Sequence, residues 1–479
     1  MIEPARRHVL TAAVLTPFVG AYAAAPAVAS PPAVAQWRRL DTAMAGDVLL
    51  PGDTAYAGAK QLFAPRYDVL RPLAVVRPAT TADVATAVKF ARAHDLRVTA
   101  RAGGHSYTGR SSGDALMVLD LRKLAGIQLA GAGATAVLGA GTTLYNVHAK
   151  LVTSGRTITT GTCPTVGTTG LALGGGLGPD DHRHGLTADS VTGATMVLMD
   201  GRTVTVSNSQ PDLLWALRGG GGQLGIVTQL RMATHAASSR GYLDLAFPGS
   251  AAQAVIAAWA AYQPAASAGT WVRAQITRSA AGGVRCQLLG VTDAGMQNRV
   301  AQDLIDAVGV TPLSRTVKQL THLQLVTTLG NGTTTPRRDN DHGSDVLTDV
   351  SSTTAAGIVA AMGSSPGTGG GCVVQLSPLG GGIAARTPTG TPFPYRRHIG
   401  AVQWVTGLPT GATAADFAAA RAWIDAAHAQ VSAASVGGYM NYVEPGQPAA
   451  RYFGANLTRL RSLKTTYDPE GRLLAAVDL

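Results

Sequence analysis

The chain has 479 residues, 46% of them hydrophobic and 14% charged, with 58 glycines, so a sizeable core and two or three loop-rich units are expected. The formal charge of +11 comes from scattered Lys and Arg rather than from blocks of like charge, which argues against nucleic acid as a partner. Three cysteines are too few for a disulfide scaffold: Cys286 and Cys372 are free to pair in an oxidising compartment or to stay apart, and Cys163 is the odd one.

The first elements concern targeting. Arg6-Arg7 precedes an apolar run from Thr11 to Ala25, and Ala27-Val28-Ala29 offers a small-residue exit. This pattern predicts an export signal over 1–29, with the paired arginines favouring the twin-arginine route and hence a secreted protein. Pro17, Gly20 and Pro26 interrupt the run, so no membrane anchor is expected.

Residues 30–66 read as a leader. Leu73 to Val76 reads as a strand, and Val84, Ala87, Val88 and Ala91 share one helical face. Leu96 to Ala100 is the next strand, ending in a glycine turn that delivers His105. Strands follow at Leu116–Leu119 and Thr135–Leu138, then a helix through Leu144, Val147, His148 and Leu151. Val191–Met199 and Thr203–Val206 flank an Asp-Gly turn as a hairpin, a short helix spans Pro211–Leu217, and a strand starts at Ile226. Beyond residue 236, Ala-rich helices (Ala251–Tyr262 and Ala414–Ala427) alternate with strands at Thr270–Thr277 and Cys372–Leu376. Residues 331–345 and 380–394 read as loops, and Leu457, Leu460, Arg461 and Lys464 mark a last helix.

Two turns carry chemistry. Arg101-Ala102-Gly103-Gly104-His105-Ser106-Tyr107 and Gly161-Thr162-Cys163-Pro164-Thr165-Val166-Gly167 each place a nucleophile among glycines. Glycines let backbone N–H groups approach a polyanion, while imidazole and thiolate can add to an electrophilic ring and stay attached. Gly167 to Gly185 is too glycine-rich for an inexpensive regular element, again as if a ligand approached the backbone. Three simpler motifs fail. No G-x-G here has its third glycine in place for a dinucleotide fold. Gly109-Arg110-Ser111-Ser112-Gly113 is followed by a strand, not by the helix of a hydrolase elbow. In Asp180-Asp181-His182-Arg183-His184 the two histidines share no helical face, so a solvated or ligand-flanking loop is expected and no metal.

Together the two turns, the Leu173-Gly174-Gly175-Gly176-Leu177-Gly178 turn, the Gly185-Leu186 to Asp189 element and Arg218 to Thr228 resemble the berberine bridge enzyme-like oxidases of the vanillyl-alcohol oxidase and p-cresol methylhydroxylase superfamily. The family more often has Asn-Phe where Gln223-Leu224 stands. The resemblance implies an α+β fold: a two-subdomain FAD-binding domain of p-cresol methylhydroxylase type over 67–235, an α+β substrate domain with an antiparallel sheet over 236–436, and a segment over 437–479 returning to the first. It implies one FAD bonded twice, through His105 to the 8α-methyl carbon and through Cys163 to ring carbon 6. Arg101, Gly103, Gly104, Ser106, Tyr107, Val166, Gly167, Gly170, Gly174, Gly175, Gly178, Gly185, Asp189, Gly225, Ile226, Val227 and Asn441 would line it. In the Asn441-Tyr442 pair the tyrosine would be the catalytic base, with Gln375 and Arg386 as pocket residues. Arg386 stands where berberine-cyclising members carry glutamate, so ring closure is not implied. Val166 matches the valine of members that react with O2. The implied activity is a secreted FAD oxidase turning an alcohol, a sugar hydroxyl above all, and O2 into a carbonyl and H2O2. An oxidase or dehydrogenase of a secondary metabolite, or a flavin-binding protein without catalysis, are the alternatives.

Overall fold

A computed structural model describes residues 31–364 and 369–479, so the expected export signal lies outside the described residues. Three large sheets, beside a two-stranded pair of Arg156–Thr157 with His235–Ala236, organise the described residues. In the first, strands run in the order Asp47–Leu49, Ala74–Arg77, Met117–Asp120 and Val98–Arg101, the last three parallel. The Thr81–Ala93 helix makes the crossover, and Val84, Ala87, Val88 and Ala91 are wholly buried against the sheet, as their spacing predicts. Thr80 caps it by accepting the Asp83 N–H at 3.1 Å. The Asp83 carboxylate in turn accepts from the N–H groups of Ala45, Gly46, Ala79 and Thr80. Burial would raise its pKa, but these donors hold it below the usual range.

That contact overturns one expectation. Residues 34–49, read as part of a leader, form a helix (Val34–Thr42) and the edge strand of the first sheet, with Trp37, Leu40 and Val48 in its core. The second sheet is antiparallel: Ile127–Ala130, Thr135–Gly139, Ile226–Ala233, Val191–Val197 and Thr203–Val206. Its core also takes Met440, Val443, Leu457 and Leu460, so the end of the chain packs against the first half.

The third sheet has eight antiparallel strands, in the order Ser314–Leu320, Arg240–Pro248, Val284–Asp293, Trp271–Arg278, Cys372–Pro378, Gly400–Gly407, Asn340–Leu347 and Ser435–Gly437. One face is apolar, through Val272, Ala274, Ile276, Val374, Leu376, Val402 and Trp404, and packs on helices that include Ala252–Tyr262 and Ala414–Val431. Alternation along each strand leaves the other face free for polar side chains. Cys286 lies opposite Ile276 and Cys372 opposite Arg278, so the Trp271–Arg278 strand separates their strands. Two strand spacings, about 9–10 Å, exceed disulfide reach. Both thiols are free and buried, and burial pushes each up to about 11.

Two further expectations are corrected. Residues 340–345, read as the end of a loop, instead form most of a buried strand, Asn340–Leu347, despite the run Asn-Asp-His-Gly-Ser-Asp. Its carboxylates are paired: Asp341 with Arg421 at 2.7 Å, and Asp345 with Arg451 at 2.9 Å and His428 at 2.7 Å. The glycine-rich 167–185 stretch contains two short helices, Thr168–Gly174 and Asp181–His184. Asp180 and Asp181 there are buried rather than solvated; Asp180 pairs with Arg240, and Asp181 accepts the Gly178 N–H at 2.8 Å. Among the described residues no helix is long and apolar enough to cross a membrane, and no cluster of ligating side chains is placed to hold a metal.

Candidate active site

The parallel strand Val98–Arg101 runs into the turn that holds Gly103, and the Cys163 turn leads into the Thr168–Gly174 helix. The two turns touch through glycine. A Cβ on Gly103 would lie 2.4 Å from Gly167 N, and one on Gly167 would lie 2.4 Å from Gly103 N. No other residue allows that approach. Thr142 O accepts from Thr168 N at 2.9 Å and Val166 O from Leu144 N at 3.0 Å, pinning the cysteine turn to the start of the preceding Leu144–Val152 helix.

The result is a shared end for the two nucleophiles. Thr165 Oγ1 lies 3.0 Å from His105 Nε2 and 3.9 Å from Cys163 Sγ. Phe63 stacks on the imidazole at 4.1 Å, and Thr335 Oγ1 lies 3.4 Å from the sulfur. Burial drops the His105 pKa to about 4, partly offset by Thr165, so the imidazole is neutral at pH 7 and its lone pair is available as a nucleophile.

Both side chains face one cavity of about 820 Å³, near the upper end of the range for small-molecule sites of about 300–1,000 Å³. At the glycine end its wall includes Gly104, Ser106, Arg110, Ser111, Thr169 and Gly170. Ser111 Oγ and Thr169 Oγ1 are buried there without a hydrogen-bond partner, as a polyphosphate cradle would leave them. With a thiol and a neutral imidazole beyond, these residues fit FAD.

The opposite wall is the polar face of the eight-stranded sheet. Trp271, Arg273, Val373, Gln375, Ser377, Gln403 and Val405 alternate into the cavity, and Gln375 lies directly across from Gln403. Tyr442 enters from the C-terminal segment. Its ring lies 6.0 Å from that of Tyr107, which stacks at 3.6 Å on His342, and it meets Tyr439 edge-on at 4.9 Å. Gln403 Nε2 donates to the Tyr107 hydroxyl at 3.0 Å. Burial pushes the Tyr442 hydroxyl up to about 12; Arg273 opposes the rise and Asp181 adds to it.

Of the residues expected at the site, Gly103, Gly104, His105, Ser106, Tyr107, Cys163, Val166, Gly167, Gly170, Gly174, Gly178, Gly225, Val227, Gln375, Asn441 and Tyr442 line this cavity. Six others do not. Arg101 is buried against Asp120 at 2.9 Å and the carbonyls of Ala59 and Lys60, so it braces the strand. Ile226 belongs to the apolar core. Gly175 lies under the Tyr439 ring and Gly185 against Asp189. Asp189 is gripped by Arg396 at 2.8 Å and by Arg386 at 3.0 Å, so the arginine expected in the pocket instead fixes a neighbouring loop. The turn at Gly381–Ala384 carries Arg386 away from the cavity. Asn441 lines the cavity but is also structural, its amide donating to the Tyr439 hydroxyl at 2.9 Å and to Leu171 O at 3.0 Å. Trp271, Arg273, Thr335, His342, Gln403 and Tyr439 were not anticipated; the period-two alternation of their strands was the available signal for Trp271, Arg273 and Gln403.

Residues 72–207 match the family model of the FAD binding domain, and residues 438–472 match that of berberine and berberine like proteins. The chain is 34% identical over 188 residues to the (R)-6-hydroxynicotine oxidase of Paenarthrobacter nicotinovorans, covering 39% of this chain and 41% of that protein. It is 38% identical over 179 residues to the chitooligosaccharide oxidase of Gibberella zeae, covering 36% of each. The matches thus span about two fifths of these curated relatives. The fold superposes on the glucooligosaccharide oxidase of Acremonium strictum, described with a 6-S-cysteinyl, 8α-N1-histidyl FAD, with a TM-score of 0.83 at 23% identity, over 93% of this chain and 100% of that one. The chain therefore carries an FAD-binding domain and a berberine-like C-terminal segment, on a fold shared with a solved FAD-linked oxidase.

Proposed function

We propose that this berberine bridge enzyme-like, FAD-linked chain is a secreted oxidase that converts a carbohydrate hydroxyl to a carbonyl and O2 to H2O2, with its flavin attached through both His105 and Cys163. The observation that carries the reading is the meeting of His105 and Cys163 at Thr165, at one end of a cavity whose far wall holds Tyr442. The curated relatives include oxidases named for chitooligosaccharide, glucooligosaccharide and xylooligosaccharide, which supports a sugar as the substrate class.

FAD, when bound, would supply a hydride acceptor for the substrate carbon and a route for the electron pair to O2. The protein's own part is placement and proton transfer. His105 and Cys163 would hold the ring covalently, and the glycine turns, Ser111 and Thr169 would receive the phosphates. Tyr442 takes the hydroxyl proton, and Arg273 favours its ionised form against the burial that opposes it. Gln375 and Gln403, side by side on the sheet, offer amide donors and acceptors to sugar hydroxyls. Polar residues across the sheet face and the aromatic rings of Trp271 and Tyr107 suit a carbohydrate, which presents both hydroxyls and apolar ring faces.

Intact mass of the purified protein, peptide mapping of the flavin, and peroxide release across a panel of saccharides test this. A protein of FAD-adducted mass that releases peroxide with an oligosaccharide is expected. Absence of attached flavin, or a flavin reduced by sugar that stays reduced in air, refutes the bicovalent oxidase.

A further inference from the structure

The cavity carries guanidinium groups without an ion pair; Asp244, on the same row of the sheet, favours the charged form of Arg273 but does not pair with it. Arg273 projects from the Trp271–Arg278 strand in the middle of the sheet, and Arg338 from the 331–339 loop that also brings Thr335 to Cys163. Among the described residues neither guanidinium lies within ion-pair distance of a carboxylate. Arg273 Nε is buried with no hydrogen-bond partner, and the guanidinium carbon is 5.9 Å from the Trp271 ring centroid. The carboxylate on the cavity wall, Asp339, accepts the backbone N–H of Arg66 at 2.8 Å.

Elsewhere the most deeply buried arginines are paired, although Arg278, half-buried on the same strand, faces no carboxylate either among the described residues. Arg101 pairs with Asp120, Arg240 with Asp180, Arg396 with Asp189, and Arg451 with Asp345. At the glycine end of the cavity Arg110 holds Asp478 through two bonds, 2.9 and 2.6 Å. A half-buried cation that faces a cavity without an ion-pair partner is a place where an anionic ligand can bind, since burying it further without one is costly. The FAD pyrophosphate is not that anion. Its cradle is the glycine end, whereas Arg273 stands on the sheet wall beside Tyr442, where the substrate must lie for its proton to be taken. A single guanidinium fork matches the planar geometry of a carboxylate.

We propose that the substrate is an acidic carbohydrate, of the uronate class, whose carboxylate pairs with Arg273 while Arg338, exposed on the loop, attracts it. This rests on the oxidase reading above and narrows its substrate class. The recognition is non-covalent: Arg273 donates N–H groups to the carboxylate, and the oxidised hydroxyl lies elsewhere on the sugar, at Tyr442.

The test uses the flavinylated protein and two probes matched except for charge: the methyl glycosides of glucose and of glucuronic acid, which have no free anomeric hydroxyl. Calorimetry should show the acid glycoside binding at least about tenfold more tightly, with the preference shrinking as salt is added. Arg273→Gln should abolish the preference, and Arg273→Lys should restore part of it. Equal or weaker binding of the acid overturns the proposal. So does an Arg273→Gln variant that keeps the acid preference but shifts the flavin reduction potential, because the guanidinium then serves the ring. Peroxide release from a uronate-ended and a neutral disaccharide of the same linkage separates the two readings. Faster turnover of the neutral sugar leaves the oxidase reading intact and removes this one; no turnover of either, with tighter acid binding, does the reverse.

Discussion

Gly103→Ala tests the join between the two nucleophile turns. The added methyl would sit 2.4 Å from Gly167 N and 2.9 Å from Thr165 O, both backbone atoms, whereas real Cβ atoms essentially never come closer than 3.0 Å. The turns must therefore part by 0.6 Å (3.0 − 2.4) at least, and by more to reach ordinary van der Waals contact. Overpacking of this kind costs roughly 1–3 kcal/mol, a loss a chain of this size can survive folded. The geometric effect should exceed the thermodynamic one, since a misplacement of about 1 Å at a reacting group can cost roughly a hundredfold in rate. Peptide mapping should then find FAD joined to His105 or to Cys163 in most molecules, not to both, while thermal melting shows a modest fall. Gly363→Ala, at a helix end with nothing within 4 Å of the new methyl, is the control and should change neither. A Gly103→Ala protein that is doubly linked and as stable as the parent would refute the claim that glycine contact sets the spacing of the two nucleophiles.

Tyr442→Phe should retain covalent flavin and sugar binding but lose kcat by roughly 10²–10⁴-fold, measured by peroxide release. Because the base works ionised and burial lifts its pKa to about 12, parent activity should climb as pH rises from neutrality and the variant's should not. Val166→Leu, at a cavity-lining position beside the cysteine turn, should slow reoxidation of the reduced flavin by O2 in stopped-flow while leaving reduction by sugar unchanged. His428 is raised from 6.5 to about 9: burial alone would lower it, but hydrogen bonds to Asp345 and Glu444 win. Its contribution, on the order of 3 kcal/mol, is fully present below pH about 6.5 and lost as pH rises through about 9. Urea titrations should therefore show stability falling over that window, and His428→Ala should flatten the fall.

Much of the flavin half was legible because its signals are local. Glycine turns, a buried helical stripe and an Asp-Gly hairpin are each encoded within a few consecutive residues, and His105 and Cys163 stand inside such patterns. The failures have separate causes. The strand Asn340–Leu347 looked like a loop because its residues are polar, and their partners, Arg421, His428 and Arg451, lie far along the chain. The 34–49 segment does carry an apolar stripe, Trp37, Leu40 and Met44 at helical spacing, but Asp83 fixes it to the sheet through backbone donors that no sequence pattern marks. Arg386 was placed by counting from Gly381-Gly382, but a four-residue helical turn redirects it to Asp189. Arg273 was missed because alternation alone does not say which face of a sheet meets a cavity.

The C-terminal segment shows why the chain accepts so many buried charges. The Tyr439 hydroxyl accepts from the N–H groups of Gly176 and Leu177, in the flavin-binding half, while its own N–H donates to Ser344 Oγ, in the sheet, at 3.0 Å. Five residues beyond Tyr439, Glu444 binds Arg421 at 3.0 Å and His428 at 2.8 Å and accepts the Ser344 N–H at 3.0 Å. Tyr442 is thus held between two anchors that each reach a different part of the fold. Apolar packing could supply comparable stability, since buried ion pairs seldom exceed it. It would not fix direction as well: charge-assisted hydrogen bonds set both distance and angle, whereas apolar contacts tolerate sliding. The same cluster holds the strand whose Asn340 and His342 line the cavity. The buried charges therefore act on the site by fixing where the tyrosine and the sheet face stand relative to the two nucleophile turns.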